Sequence, residues 1–437
     1  MSVASWTAAP GTPLRGEVRV PGDKSVSHRA IMLASIADGT SRIDGFLEGE
    51  DARATESIFR SLGAAIEAPE PGVRIVHGVG IDGLRPADGP LDCGNAGTGM
   101  RLLAGLLAGQ AFDSTLIGDA SLSKRPMRRV TGPLAAMGAR IETGAGGTPP
   151  LRIHGGQALH GIEFDNTLAS AQVKSSLLLA GLYADGETVV REPRPTRDYT
   201  ERMLAAFGWP VDFAPGLARL RGGYRLQATD VRVPADFSSA AFFLVAASIV
   251  PDSELLLRRV GMNPRRTGLL HVLRLMGAEI VESNVGEEGG EPVADLRVRH
   301  APLRGIDVPE QHVPDMIDEF PALFIAAACA SGVTRVTGAQ ELRVKESDRI
   351  ATMAAGLRAL GVAIEEAPDG ANIAGRADGF AGGRVHSHGD HRIAMSFAVA
   401  GQRARGPVII DDTANVATSF PGFVAMAEAA GFGLREG

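Results

Sequence analysis

The sequence is poor in cysteine, in lysine and in long apolar runs. Its 437 residues include only two cysteines, Cys93 and Cys329. Two thiols exclude a disulfide framework and a cysteine-rich metal site. The longest apolar runs, such as Ala240 to Val250, fall short of the ~18 residues a membrane-spanning helix needs. The first twenty residues lack a continuous apolar core, so no signal peptide is expected. Positive charge is also in deficit. The formal net charge is -7, which gives no global attraction to nucleic acid or an anionic membrane. Any anionic substrate must then be held by a local basic cluster. With 44% hydrophobic and 22% charged residues, the expectation is a soluble, cytoplasmic enzyme of two or three domains.

Lysine is the informative scarcity. Four lysines stand against forty arginines. An arginine bias of the kind a GC-rich coding sequence produces has replaced lysine elsewhere. Lys24 sits in Pro21-Gly22-Asp23-Lys24-Ser25-Val26-Ser27-His28-Arg29, and Lys124 in Lys124-Arg125-Pro126-Met127. Lys174 ends Ser170-Ala171-Gln172-Val173-Lys174, and Lys345 lies in Arg343-Val344-Lys345-Glu346-Ser347-Asp348-Arg349. All four fall in dense polar motifs. They are candidates for places where a planar, permanently charged guanidinium cannot replace a compact ammonium.

One unit recurs along the chain: a large apolar residue, Gly, a small or apolar residue, any residue, then Ile, Val or Leu. It is seen at Gly63, Gly138, Gly208, Gly277 and Gly361, and more weakly at Gly431, at intervals of 69 to 84 residues. Each copy follows a helix-like stretch and leads into alternating strand residues. Glycine there is expected just past a helix end, in the left-handed region. A β-branched run after a turn also recurs, as at Gly39-Thr40-Ser41-Arg42-Ile43 and Gly332-Val333-Thr334-Arg335-Val336. Six α/β units of about 70 residues fit two pseudo-threefold domains, with a substrate cleft expected between them.

Several motifs carry chemistry. Gly94-Asn95-Ala96-Gly97-Thr98-Gly99-Met100-Arg101 precedes a helix-like stretch from Leu102. Its backbone N–H groups and the helix dipole suit a phosphate or carboxylate, although a plain turn has the same composition. Lys124-Arg125-Pro126-Met127-Arg128-Arg129 is either a solvated charge run or an ordered anion-facing loop. Lys345 and Arg349 are spaced to share a helix face with Glu346 and Asp348 pointing elsewhere, which a salt-bridged surface helix would also explain. Asp318 stands just before an apolar helix and could be an ordinary cap. His386-Ser387-His388-Gly389-Asp390-His391 has metal-hydrolase spacing, but no histidine follows His391 to complete the ligand set. Its other reading has Arg392 opening a helix and clasping a carboxylate.

In combination, the Lys24-Ser25 run, Gly94 to Arg101, Lys124-Arg125-Pro126, Arg343 to Arg349 and Asp390-His391-Arg392 resemble the 5-enolpyruvylshikimate-3-phosphate (EPSP) synthase family. The resemblance runs from about Pro21 to Pro421. Leu47-Glu48-Gly49-Glu50-Asp51 and Gly118-Asp119-Ala120-Ser121-Leu122 point to its class II branch. It implies two domains, each of three βαβαββ units, forming an inside-out α/β barrel. It assigns 1–22 and 240–437 to a C-terminal-type domain and 23–239 to an N-terminal-type one. The implied reaction, in aromatic amino acid biosynthesis, moves the enolpyruvyl group of phosphoenolpyruvate to the 5-hydroxyl of shikimate 3-phosphate. Phosphate leaves by addition and elimination, with no metal or other cofactor.

The resemblance also implies roles. Ser25 and Arg29 hold the shikimate carboxylate. Ser170 and Lys345 hold its phosphate with Arg197, and Lys24, Ala171 and Gln172 complete that substrate's set. Lys24, Gly97, Arg125 and Gln172 surround the phosphate of phosphoenolpyruvate, and Arg349 and Arg392 clamp its carboxylate. Asp318 contacts the ring hydroxyls of shikimate 3-phosphate and is the candidate base for the attacking one, Glu346 exchanges a proton at the substrate methylene, and Lys24 is counted with them as catalytic. No nucleic acid, no membrane and a monomer are expected. Glyphosate, the family's inhibitor, occupies the phosphoenolpyruvate site. Insensitive class II members characteristically have alanine where this chain keeps Gly97, so sensitivity is expected. Three positions depart from the pattern: Ala171, where serine is common, Leu102, where proline is, and Thr418, where lysine is. The competing readings are a UDP-N-acetylglucosamine enolpyruvyl transferase, a hydrolase using His386, His388 and His391, and a non-catalytic sugar-phosphate binder. The first typically has a cysteine on the loop that Lys124-Arg125 would occupy, and this chain has none there.

Overall fold

The computed structural model describes residues 4–376 and 378–437. The chain divides into two compact units. The N-terminal unit is Gly22–Pro234 with Glu287–Glu291. The C-terminal unit takes the start of the chain up to Pro21, then Ala235–Gly286 and Pro292–Gly437.

The N-terminal unit contains helices α1 (Lys24–Ser35), α2 (Glu50–Ser61), α3 (Gly97–Ala108), α4 (Arg128–Ala136), α5 (Ala171–Gly181) and α6 (Tyr199–Ala206). The C-terminal unit contains α7 (Phe237–Ile249), α8 (Gly268–Leu275), α9 (Phe320–Cys329), α10 (Arg349–Ala359), α11 (His391–Gly401) and α12 (Phe423–Ala430). Among the described residues each unit also has three sheets, one for each pair of helices.

The βαβαββ unit is plainest in Leu91–Asp92, α3, Ser114–Ile117, α4, Arg140–Thr143 and Leu151–His154. Its strands lie in the order first, second, fourth, third. The first pair is parallel and the others antiparallel. Elsewhere the chain borrows strands from a distance. Val231–Arg232 lies parallel to Asp38–Asp44. Arg15–Val18 lies parallel to Glu254–Gly261. Ser5–Ala9 pairs antiparallel with both Val408–Asp411 and Gly433–Glu436. Ser5–Ala9 and Arg15–Val18 therefore complete two sheets of the C-terminal unit. One sheet has three strands, and its missing first strand is reduced to parallel bridges at Arg304–Ser331 and Asp307–Arg335.

All six repeat glycines adopt positive φ: 97° at Gly63, 97° at Gly138, 79° at Gly208, 101° at Gly277, 82° at Gly361 and 113° at Gly431. Each follows the second helix of its repeat. A side chain in this left-handed conformation costs roughly 1–2 kcal/mol, so the helix-to-strand turn selects glycine.

The two helices of a repeat differ in environment. All thirteen residues of α7 are buried, and α1, α3, α5, α9 and α11 are buried over most of their length. A helix apolar on all sides is stable only inside a core. In the C-terminal unit α7, α9 and α11 pack on one another, and in the N-terminal unit α3 packs on α5. Most of the polar motifs thereby sit at the N-termini of interior helices. Lys24 opens α1, Gly97 opens α3 and Ser170 precedes α5, while Asp318 and Glu319 precede α9 and Asp390 precedes α11.

Candidate active site

In the N-terminal unit, polar side chains gather where α1, α3 and α5 begin. The glycine-rich run is only partly a turn, because Gly97 already belongs to α3. Neither α3 nor α5 has a side-chain cap or an acid in its first turn. Their N–H groups and dipoles are left to favour an external anion. The two starts are joined through Gln172, which accepts from Arg101 Nη1 at 2.7 Å and donates to Thr98 Oγ1 at 2.9 Å. Arg125 Nη2 donates to Asn95 Oδ1 at 2.8 Å, which turns its guanidinium toward Gly97. Lys124 beside it is exposed.

On α1, Lys24 Nζ donates to Asp51 Oδ2 at 2.8 Å. Arg29 is buried, and each nitrogen is engaged: Nε with Thr200 Oγ1 at 2.7 Å, Nη1 with the Ser25 carbonyl at 2.9 Å and Nη2 with Ser175 Oγ at 2.9 Å. Burial is the main cause that pulls the Arg29 pKa down to about 10. His28 next to it is pushed down to about 3 by burial and then by Lys24 and Arg29. It is neutral at ordinary pH, so the cations there are Lys24 and Arg29. Ser170 is buried and Arg197 half-buried.

In the C-terminal unit the starts of α7 and α11 carry acids, as α1 does through Asp23 and as α3 and α5 do not. Asp390 caps α11 by accepting from Arg392 N at 3.0 Å and Asp236 caps α7 by accepting from Ser238 N at 2.7 Å. Arg349 is the hub. Its Nε donates to Asp390 Oδ2 at 2.8 Å and its Nη2 to Glu346 Oε2 at 2.7 Å. Its Nη1 lies 3.5 Å from Asp318 Oδ1 but donates no hydrogen bond to any described residue. Burial alone would lower the Arg349 pKa, yet Asp390, Glu346 and Asp318 carry it above the ordinary value. Asp318 also pairs with Arg266 Nη1 at 3.0 Å and Lys345 Nζ at 3.8 Å. Arg392 Nη1 lies 3.7 Å from Glu319 Oε1.

Two local expectations are corrected, and one open alternative falls. Residues 345–348 are not helical, since α10 starts at Arg349 with Asp348 as its cap. Glu346 does not point away but pairs with Arg349. Asp318 is not a helix cap, because its carboxylate faces three cations. Within the histidine run, Asp390 is engaged by Arg349, Ser347 and the start of α11. Among the described residues no group of three or more His, Cys, Asp or Glu is placed to hold a metal ion. Thr418 donates to the Asn415 carbonyl at 2.7 Å.

Sequence reasoning missed Arg266. It reaches Asp318, Asp236 and, through Ser238, Glu319. The repeat itself held the signal, since Arg266 precedes α8 much as Arg349 opens α10.

The repeated βαβαββ architecture is that of an enolpyruvyl transferase fold. An enolpyruvyl transferase from Streptomyces tendae, NikO, superposes with TM-score 0.80 at 18% identity over 100% of this chain and 99% of that one. A sharper match comes from the family model for EPSP synthase (3-phosphoshikimate 1-carboxyvinyltransferase), which covers residues 8–426. The 3-phosphoshikimate 1-carboxyvinyltransferase of Xanthomonas oryzae pv. oryzae is 71% identical over 98% of this chain and 97% of its own. That of Xanthomonas campestris pv. campestris is 70% identical over 99% and 98%. The EPSP synthase of Acinetobacter baumannii superposes with TM-score 0.90 at 52% identity, covering 99% of this chain and 100% of that one. The chain belongs to the EPSP synthase family.

Proposed function

We propose that the protein transfers the enolpyruvyl group of phosphoenolpyruvate to the 5-hydroxyl of shikimate 3-phosphate and releases phosphate. Beyond family membership, the observation that carries this reading is the cradle of Gly97, Thr98, Arg101, Arg125 and Gln172 at two acid-free helix starts. An acidic protein keeps such a place only for an anion.

Lys24, Gly97, Arg125 and Gln172 surround the phosphate of phosphoenolpyruvate. Arg349 Nη1, with Arg392, takes its carboxylate. Ser25 and Arg29 face the shikimate carboxylate. Ser170, Arg197 and Lys345 take its phosphate, joined by Lys24, Ala171 and Gln172. Asp318 accepts the proton of the 5-hydroxyl as its oxygen bonds to C2 of phosphoenolpyruvate, while Glu346 protonates the methylene. Glu346 then removes a methyl proton, the bond from C2 to the phosphate oxygen breaks, and phosphate departs with the proton that Asp318 returns through solvent. The protein acts as a cytoplasmic monomer. Among the described residues no helix is long and apolar enough to cross a membrane.

A phosphate-release assay that omits each substrate in turn tests the reaction. Release should require both substrates, and release from one alone would refute it. Turnover should survive dialysis against a chelator. A loss restored by Zn²⁺ or Mn²⁺ would return the histidine run to consideration.

Gly97→Ala tests the cradle. A Cβ there would lie 2.9 Å from Arg125 Nη1 and 3.3 Å from Arg101 Nη1. Arg125 must give way, and the new methyl takes space from any ligand. Inhibition by glyphosate, which is longer than phosphoenolpyruvate, should weaken by about tenfold or more, since one such clash costs on the order of 1–3 kcal/mol. The KM for phosphoenolpyruvate should rise less. Inhibition curves at matched substrate saturation decide it, and an insensitive unmodified protein would remove Gly97 as the determinant.

A further inference from the structure

Of the four lysines, Lys24 and Lys345 have roles above and Lys124 is exposed. Lys174 is left, buried on α5. Its Nζ lies 2.9 Å from Glu192 Oε2 and 2.8 Å from Glu201 Oε1, and donates to the Thr196 carbonyl at 3.4 Å. An ammonium has three donors in tetrahedral array, and here they meet three oxygens. The planar fork of arginine cannot reproduce that arrangement. Burial would lower the Lys174 pKa, but Glu201 and Glu192 outweigh it and hold the amine protonated.

Glu192 passes this anchoring on. Its Oε2 accepts from Thr196 N at 3.0 Å, and its Oε1 accepts from Thr196 Oγ1 at 2.6 Å and from Asn166 Nδ2 at 2.9 Å. Asn166 Nδ2 also donates to the Ser170 carbonyl at 2.9 Å. Two loops are thereby tied to one lysine: one ends at Ser170, the other leads from Thr196 into Arg197. In the first, Ala169 is held at φ 48°, a left-handed conformation that alanine adopts only under constraint.

We infer that Lys174 is a positioning residue for shikimate 3-phosphate, fixing through Glu192 the two loops that present Ser170 and Arg197 to its phosphate. The inference rests on the assignment of those two residues to that phosphate. It accounts for the survival of lysine here without any contact between Lys174 and substrate.

Steady-state kinetics with both substrates varied test it. Lys174→Arg should raise the KM for shikimate 3-phosphate by about tenfold or more, with kcat and the KM for phosphoenolpyruvate within about threefold. The double variant Lys174→Met/Glu201→Gln removes a buried cation and a buried anion together. It should show the same selective change and serves if Lys174→Arg does not fold. An unchanged KM for shikimate 3-phosphate overturns the inference. So does an equal loss in kcat and both KM values, which would mean a general structural role. Ser170→Ala and Arg197→Ala separate the two layers. If neither weakens shikimate 3-phosphate binding, the phosphate assignment fails and the inference with it. If both do while the Lys174 variants do not, the inference alone fails.

Discussion

Glu346→Gln and Asp318→Asn should each lower kcat by about two orders of magnitude or more, the scale of a lost proton-transfer group. Both substitutions keep the side-chain size and much of the hydrogen bonding. Glu346 bonds to Arg349 at 2.7 Å with its side chain 22% exposed, so Gln can keep that contact at little cost in stability. Asp318 faces Arg266, Lys345 and Arg349. Removing its charge leaves those cations more attractive to an anion, so the KM for either substrate should not rise in Asp318→Asn. The signature is therefore a fall in kcat with KM unchanged or lower. Comparable losses of melting temperature and activity would instead make both carboxylates structural counter-charges.

Arg349→Met should damage both stability and binding. Asp390 has a fully buried side chain, and Arg349 is the cation that pairs with it at 2.8 Å. Removing one partner of a buried ion pair typically costs about 3–5 kcal/mol, because the remaining charge is stranded. A clear drop in melting temperature is expected. Arg349→Lys isolates the binding role. A single ammonium cannot reach Asp390 and Glu346 while turning a third nitrogen to a substrate carboxylate. In that variant the KM for phosphoenolpyruvate should rise by about tenfold or more, with a smaller thermal shift than in Arg349→Met. Native KM values in Arg349→Lys would show that Arg349 serves only the internal network.

The glycine repeat was legible because its cause is local. A helix that must turn sharply into a strand needs positive φ at one residue, and glycine supplies it wherever the fold repeats. Local reasoning failed for the motif around Lys345. Spacing alone suggested one helix with Lys345 and Arg349 side by side, but Asp348 caps α10 and begins it at Arg349. It left Asp318 open to a reading as an ordinary cap, because nothing in its neighbours along the chain announces Arg266, which lies 52 residues away.

By itself the sequence determined the six α/β units and the motifs that gather charge, since period and helix punctuation act over a few residues, and the class of protein followed from the resemblance those motifs carry. Only the tertiary structure decided which charges meet. It placed the acids at the helix starts of the C-terminal unit, beside Arg266, Arg349 and Arg392, and left α3 and α5 in the N-terminal unit without one. It also placed Lys174 against Glu192 and Glu201, residues 18 and 27 positions away that no spacing rule connects. The physical reason is that a buried charge is tolerable only when its partner arrives from elsewhere in the fold.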